Sequence, residues 1–279
     1  MLWQPTRGIL QPNQHWRRPQ TTVAYTGPGD IETFTAWYGF RAYSAATTGT
    51  AAIRVIRASD STQTDINTLS DGSLDSSTLA TFLTSTTGKV VTVYDQVGTN
   101  HITQATDGNR PAVTASALNS AYGMTFTAAS STQLISGSNF ASQAIPYAFV
   151  AVIKGTGAKN AASLDTGAYV GVVLEMDVGA GGFRLYAGVN LDVSATSGTW
   201  YAFQGIANGA SSVYNINGTE TTGDAGSQST TNTTLRVGGV AAGAFFDGSI
   251  MEFGYKAATI SSGNRTSLNS NMHAAYGSW

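Results

Sequence analysis

The chain has 279 residues, of which only 11% are charged and 10% are aromatic, and it contains 32 glycines. Its 14 Lys and Arg against 16 Asp and Glu give a formal net charge of −2, which excludes the strongly basic surface that nucleic-acid binding requires. The absence of cysteine excludes disulfide scaffolds and cysteine-based zinc sites.

The first segment, residues 1–30, is rich in arginine, tryptophan and proline and shows no hydrophobic periodicity. It has no apolar run typical of a signal peptide, and no window is apolar enough for a membrane span. We therefore predict an extended arm, followed by one folded domain over residues 31–279. A disordered tail is the alternative. We prefer an arm that docks on a partner, because Trp and Arg are enriched at interface hot spots; the predicted docking residues are Trp3, Arg7, Trp16, Arg17 and Arg18.

Short runs of β-branched and aromatic residues, separated by turn signals, follow the arm and predict an antiparallel sandwich. One apolar stripe in residues 74–84 predicts a short helix. Residues 147–153 are apolar at every position, so the strand predicted over residues 147–154 should be central in its sheet. Residues 218–234, rich in Ser, Thr and Gly, read as a long loop. The predicted strands are 34–43, 52–57, 89–94, 123–127, 147–154, 170–176, 183–187, 201–206, 212–216, 234–237 and 248–256.

A helix is predicted at the C-terminus, where Ser261 or Ser262 can cap it. Leu268, Met272 and Tyr276 then fall on one face and should pack against the sheet. The expected fold class is therefore all-β, an antiparallel concanavalin A-like jelly-roll sandwich. It would carry one short internal helix, a C-terminal helix and the N-terminal arm.

The loop after the strand at residues 89–94 has an unusually polar composition for a short connection. We predict a ligand-binding loop, since the ends of sandwich strands often carry binding sites. The alternative is that these side chains hydrogen-bond their own turn, as Asp and Asn readily do. The predicted ligand residues are Asp95, Gln96, Asn100 and His101.

Several motifs around this loop follow one another in a fixed order: Arg41-Ala42-Tyr43, residues 53–57, Ser59-Asp60, Asp65-Ile66, residues 89–101 and Thr103-Gln104-Ala105. In this order they resemble the catalytic domain of the α-L-arabinofuranosidase B family over roughly residues 41–135. The second half is similar to laminin-G or concanavalin A-type lectin sandwiches. Domains of this combined type resemble those of bacteriophage virion proteins.

The resemblance implies a retaining glycosidase, which needs two carboxyl groups about 5 to 5.5 Å apart. In the family the proton donor is an Asp directly after a Gly-Gly pair, whereas Gly238-Gly239 precede Val240 here. The nucleophile is a Glu in an Asp-Met-Glu segment, and its position falls on Gly188. We therefore expect the fold to be carried without the activity.

One further carboxylate pair, in Glu175-Met176-Asp177, has the same residue types in reversed order. Glu175 and Asp177 would share one face of a strand, close enough for acid–base partnership or for binding a cation. The more ordinary interpretation is a solvated outward face. No metal site is predicted, because the three histidines are widely spaced along the chain. The sequence also contains no recognisable catalytic triad, and no cofactor is predicted.

These observations lead us to predict a non-enzymatic bacteriophage virion protein, either a capsid decoration protein or a tail-associated one. The arm would bind other virion proteins, the body would form a homo-oligomer, and cell-surface polysaccharide is the candidate ligand. Nucleic acid and membranes are not expected partners, and the expected location is the virion. The alternatives are a glycoside hydrolase of the arabinofuranosidase type and a stand-alone carbohydrate-binding module.

Overall fold

The structure of the chain is a computed structural model that describes residues 24–115, 118–137, 140–156, 160–165, 171–177, 182–230, 234–240 and 243–277. Residues 1–23 of the predicted arm (residues 1–30) lie outside this range, and residues 24–30 lie within it. The division into an arm and a sandwich domain therefore stays a prediction. All five predicted docking residues are outside the described residues: Trp3, Arg7, Trp16, Arg17 and Arg18.

The described residues are almost all in strands or in the turns between them. In the first half of the chain the strands are β1 (Ala36–Gly39), β2 (Ala51–Arg57), β3 (Gln63–Asn67), β4 (Gly88–Val93), β5 (Ile102–Thr103), β6 (Ala112–Ala115), β7 (Tyr122–Phe126), β8 (Leu134–Ser136) and β9 (Tyr147–Gly155). In the second half they are β10 (Asn160–Asp165), β11 (Gly171–Asp177), β12 (Gly182–Tyr186), β13 (Asn190–Ser194), β14 (Tyr201–Ala207), β15 (Ser212–Ile216), β16 (Thr219–Gly223), β17 (Leu235–Val237) and β18 (Gly248–Lys256). Two α-helices accompany them, α1 (Ser76–Phe82) and α2 (Ser262–Tyr276).

Antiparallel pairing arranges these strands into two sheets. The first sheet has the order β1-β18-β9-β14-β15-β16. The second has the order β3-β2-β4-β5-β8-β17-β10-β11-β12-β13. Strands β6 and β7 link β4 of the second sheet to β18 of the first. The prediction of an antiparallel β-sandwich with one internal helix and one C-terminal helix is confirmed.

Strand β9 is buried on both faces, as the apolar run of residues 147–153 predicts. Phe149, Ala151 and Ile153 belong to the cluster that fills the space between the sheets. The alternate residues Val150 and Val152 belong to a second cluster on the outer side of the first sheet. Because a strand presents successive side chains to opposite faces, one strand can support both cores.

The second cluster is covered by α2, whose Leu268, Met272 and Tyr276 are buried in it. These residues are spaced four apart and therefore lie on one side of the helix. The helix begins after Ser261, whose hydroxyl oxygen accepts a hydrogen bond of 3.2 Å from the backbone N–H of Asn264. This cap and this packing face are both as predicted. No helix among the described residues combines the length and apolarity that a membrane crossing demands.

Removing the cap of α2 is expected to weaken the fold by a measurable amount. The substitution Ser261→Ala leaves the N–H of Asn264 without its partner, and such a loss typically costs about 0.5–2 kcal/mol. Urea unfolding should show a lower midpoint with an unchanged slope. Ser262→Ala is the matched control, because Ser262 is already inside the helix and alanine is favourable there. Equal midpoints for the two variants would contradict the capping role.

The stretch 218–234, expected to be a loop, begins with the strand β16. The prediction failed there because β16 is an edge strand exposed along nearly its whole length, so its sequence shows no apolar alternation. Pairing with β15 through five residue pairs forms it instead.

Three strands that end a sheet each carry one carboxylate bound by an arginine. Asp65 of β3 is 2.7 Å from Arg54, Asp192 of β13 is 2.8 Å from Arg184, and Glu220 of β16 is 2.6 Å from Arg265. The first two arginines come from the neighbouring strand, and Arg265 comes from α2.

Candidate functional site

The loop after β4 is held by hydrogen bonds to its own backbone and to β1. One carboxylate oxygen of Asp95 accepts from the N–H groups of Trp37 (3.2 Å) and Val97 (3.0 Å), and the other accepts from the N–H of Asn100 (3.2 Å). The Asp95 residue is only 6% exposed. Its acceptor capacity is therefore directed at backbone donors of the fold.

The other loop residues make contacts of the same kind. The amide group of Gln96 accepts from the N–H of Tyr43 at 2.8 Å and donates to the carbonyl of Arg41 at 2.9 Å. Ring atom Nδ1 of His101 accepts from the N–H of Asp95 at 3.0 Å. The backbone carbonyl of Asn100 accepts from the hydroxyl of Tyr38 at 2.6 Å. The four residues do lie together, and their role in ligand binding stays a prediction.

A row of charged side chains crosses the outer face of the second sheet. Glu175 of β11 lies opposite Arg184 of β12, which lies opposite Asp192 of β13. Leu174, the neighbour of Glu175 along the strand, is fully buried between the sheets. Since side chains alternate along a strand, the charged row points away from the core.

The guanidinium of Arg184 joins the two carboxylates of this row. Atoms Nε and Nη2 donate to the two oxygens of Asp192 at 2.8 and 3.1 Å, and Nη1 lies 3.4 Å from an oxygen of Glu175. The hydrogen bonds that Arg184 donates to Asp192, with a smaller contribution from Glu175, raise the pKa of Arg184 above its usual range. Asp192 thereby fixes the plane of the guanidinium, and the remaining nitrogen is presented to Glu175.

Glu175 is the more sheltered of the two carboxylates, with 13% of its side chain exposed against 56% for Asp192. A carboxylate in this state can attack an electrophilic carbon or accept a hydrogen bond from a sugar hydroxyl. The backbone of Asp177 pairs with Gly182 at the end of the strand. Its side chain lies outside the described residues, so the predicted partnership of Glu175 and Asp177 stays a prediction.

The sequence after β17 brings an apolar residue near the same sheet. Strand β17 pairs with β10, which pairs with β11, so the segment 238–240 follows a strand two positions away from Glu175. Val240 is 1% exposed, and its N–H donates to the carbonyl of Ala244 at 3.0 Å. The carbonyl of Gly239 accepts from the hydroxyl of Ser163 on β10 at 3.3 Å. Where the family resemblance implies a proton-donating carboxyl, this chain has a buried valine.

Arg184 and Asp192 were missed by the sequence reasoning. Their only signal is the alternation of charged and apolar residues in Phe183-Arg184-Leu185 and Leu191-Asp192-Val193, which indicates an outward face but not its partners. Within the described part of the chain, no group of three or more His, Asp or Glu is arranged to hold a metal ion.

Comparison with known proteins relates the chain to arabinofuranosidases both by sequence and by structure. Residues 27–169, just over half of the 279-residue chain, match the family model described as alpha-L-arabinofuranosidase B, catalytic. No curated protein matches the chain.

Solved structures extend this similarity over the second half of the chain. One is a mutant of a GH54 α-L-arabinofuranosidase soaked with 4-nitrophenyl α-L-arabinofuranoside, at 21% identity and a TM-score of 0.72 over 90% of this chain and 66% of that one. A second is an arabinofuranosidase complexed with arabinofuranosyl-α-1,2-xylobiose, at 21% identity and 0.72 over 90% and 65%. A third is a GH54 α-L-arabinofuranosidase soaked with a cyclic sulfate inhibitor, at 22% identity and 0.68 over 90% and 66%.

These identities show a shared fold, and the chain spans about two thirds of the length of those proteins. The resemblance to the arabinofuranosidase B fold is confirmed. The prediction of a non-enzymatic virion structural protein is wrong, and so is the expectation that the chain is not an enzyme. Both the family model and the three structures are those of glycoside hydrolases, which favours the alternative.

Proposed function

This chain belongs to the α-L-arabinofuranosidase B catalytic-domain family, and from that membership we propose that it is a glycoside hydrolase that acts on α-L-arabinofuranosyl groups. The observation that carries the proposal is the family match over residues 27–169. The charged row on the outer face of the second sheet supports it, because it supplies a positioned carboxylate.

In the proposed reaction Glu175 is the nucleophile. One of its carboxylate oxygens forms a bond to the anomeric carbon, the bond from that carbon to the leaving oxygen breaks, and the electron pair leaves with this oxygen. Water then attacks the same carbon, and the bond from this carbon to the Glu175 oxygen breaks, which restores the carboxylate. The proton that the water loses passes through solvent to the departed oxygen, and arabinose is released. Arg184 holds Glu175 in place from 3.4 Å, and Asp192 holds Arg184.

The test is the release of 4-nitrophenol from 4-nitrophenyl α-L-arabinofuranoside. The wild-type protein is expected to show turnover, and Glu175→Gln should lower kcat/KM by at least about 100-fold, because the amide is a poor nucleophile. Asp65→Asn is the matched control, since Asp65 is also an arginine-bound carboxylate but lies on β3, at the far end of the sheet.

Two outcomes would count against the proposal. Wild-type protein that releases 4-nitrophenol no faster than buffer would exclude hydrolysis of this substrate class. Activity that survives Glu175→Gln but is lost in a folded Asp177→Asn variant would move the nucleophile to the other carboxylate of β11 and exclude the assignment to Glu175.

A further inference from the structure

A cavity of about 620 Å³ lies apart from the charged row, because none of its lining residues belongs to β11, β12 or β13. It is formed by the C-terminal end of α2, by residues 71–76 and by the turn at residues 119–122. Helix α2 packs on the outer side of the first sheet, whereas Glu175 faces outward from the second. We call it the α2 cavity. Its volume is within the range of small-molecule sites.

Arg41, which lines the cavity, belongs to a buried ion pair. Nε and Nη2 of Arg41 donate to the two carboxylate oxygens of Glu252 at 2.7 and 2.9 Å, and the hydroxyl of Tyr276 lies 3.3 Å from the same carboxylate. Burial alone would lower the pKa of Arg41, but the carboxylate of Glu252 outweighs it and raises this pKa. The cation is thus matched by an anion of the fold, which makes the wall polar without attracting an anionic ligand.

The rim carries groups that bind hydroxyls. The carboxylate of Asp71, whose pKa is lowered by hydrogen bonds from Ser73, provides an ionised acceptor. Asn271 donates through Nδ2 to the carbonyl of Thr26 at 2.8 Å, while its Oδ1 is buried and has no hydrogen-bond partner among the described residues. A buried acceptor without a donor is unfavourable, so the side-chain amide of Asn271 still has one hydrogen bond to make.

Backbone strain is present at the same rim. Asn119 and Ser120 are consecutive residues with φ values of +50° and +57°, in the left-handed region that residues other than glycine seldom adopt. Two such residues in succession turn the backbone so that both line the cavity. Strain of this kind is commonly retained at ligand sites.

Aromatic and aliphatic side chains supply the rest of the lining, among them Phe40, Leu74, Tyr122 and Tyr276. Aromatic rings pack well against the C–H faces of sugar rings, while amide, hydroxyl and carboxylate groups bind the sugar hydroxyls. The combination of apolar walls, neutral polar groups and one acceptor carboxylate fits a hydroxyl-rich neutral molecule and disfavours a carboxylated or phosphorylated one.

We propose that the α2 cavity is a second carbohydrate-binding site, which takes a small neutral saccharide at a position apart from the charged row. Binding in the α2 cavity does not require hydrolysis, so it can be tested independently of the proposed reaction.

The experiment is a titration of ¹⁵N-labelled protein followed by NMR, with methyl α-L-arabinofuranoside and xylobiose as neutral probes and D-glucuronate as the anionic comparison. Dissociation constants on the order of 1 mM are expected for ligands with so few atoms. The amide signals of Asn119, Ser120 and Asn271 should shift with the neutral probes. Glucuronate should bind at least about tenfold more weakly.

Ala274→Trp fills the cavity from the exposed side of α2, and at least a tenfold loss of affinity is expected. Ser267→Trp is the control. It introduces the same ring two turns earlier on the same helix, outside the cavity lining, and affinity should be unchanged. Glu175→Gln should also bind normally, which separates this site from the charged row.

The proposal is overturned if neither neutral probe shifts these three amides at tens of millimolar, if Ala274→Trp binds as well as Ser267→Trp, or if glucuronate binds best. Loss of binding in Glu175→Gln would place the ligand on the other face and overturn it equally.

Discussion

Replacing Val240 with aspartate is expected to raise the hydrolysis of arabinofuranosyl-xylobiose by about 10²–10⁴-fold while changing 4-nitrophenyl α-L-arabinofuranoside turnover little. The wild-type chain has a buried valine where the family resemblance implies a proton donor. A sugar oxygen is a strongly basic leaving group that needs a proton, whereas 4-nitrophenolate departs without one. Under the proposed function, the wild-type protein should therefore favour the aryl substrate strongly.

The measurement is kcat/KM for both substrates in the wild type, Val240→Asp and Val240→Asn. The asparagine variant has nearly the same shape as the aspartate variant but cannot donate a carboxyl proton, so it should not gain activity. Melting temperatures should be recorded, because a polar group at this buried position is destabilising. Efficient cleavage of arabinofuranosyl-xylobiose by the wild type would contradict this prediction and indicate a proton donor elsewhere in the chain.

Breaking the ion pair between Arg41 and Glu252 is expected to lower the free energy of unfolding by about 3–5 kcal/mol. Glu252 is fully buried and Arg41 nearly so, and they meet at 2.7 Å. Arg41→Met leaves the carboxylate buried without its cation, and Glu252→Leu leaves the cation buried without its carboxylate. The double variant should be more stable than either single one, because replacing both charges by apolar groups removes the desolvation penalty. The free energies of unfolding of the wild type, the two single variants and the double variant, measured in urea, together form a double-mutant cycle.

The exposed pair of Arg54 and Asp65 is the control for this cycle. Its atoms are also 2.7 Å apart, but the two side chains are 44% and 37% exposed, and exposed pairs contribute about 0–1 kcal/mol. Arg54→Met should therefore have a small effect. If Arg41→Met and Arg54→Met lowered stability equally, burial would not be what makes the pair at Arg41 important.

The fold could be predicted from the sequence wherever a strand or helix carries a buried apolar face that shows in its own residue pattern. The uninterrupted apolar residues 147–153 of β9 indicated a central strand, and the spacing of Leu268, Met272 and Tyr276 indicated the packing face of α2. The edge strand β16 was missed because it is exposed, is formed by pairing and carries no apolar alternation. The edge strand β13 was missed although Leu191 and Val193 alternate with polar residues, because its run of five residues is short.

The candidate site was less predictable because it depends on register between strands. Glu175 was identified as a carboxylate on a strand, but its contact with Arg184 requires knowing how β11 and β12 align. Arg41 and Glu252 are 211 residues apart in sequence, so only the complete fold brings them together. The function was mispredicted for a related reason: the absence of a carboxyl after Gly239 was given more weight than the ordered motifs of residues 41–135.

The arginine-bound carboxylates on β3, β13 and β16 bear on how this protein avoids aggregation. A sheet edge with free backbone groups invites strands of other molecules to add to it, and charged side chains on the edge are one protection. Only 11% of the residues are charged, so few charged side chains can serve this purpose. Because Asp65, Asp192 and Glu220 lie at three edges, a second molecule that extended either sheet there would have to bury an ion pair, which disfavours strand addition at these edges.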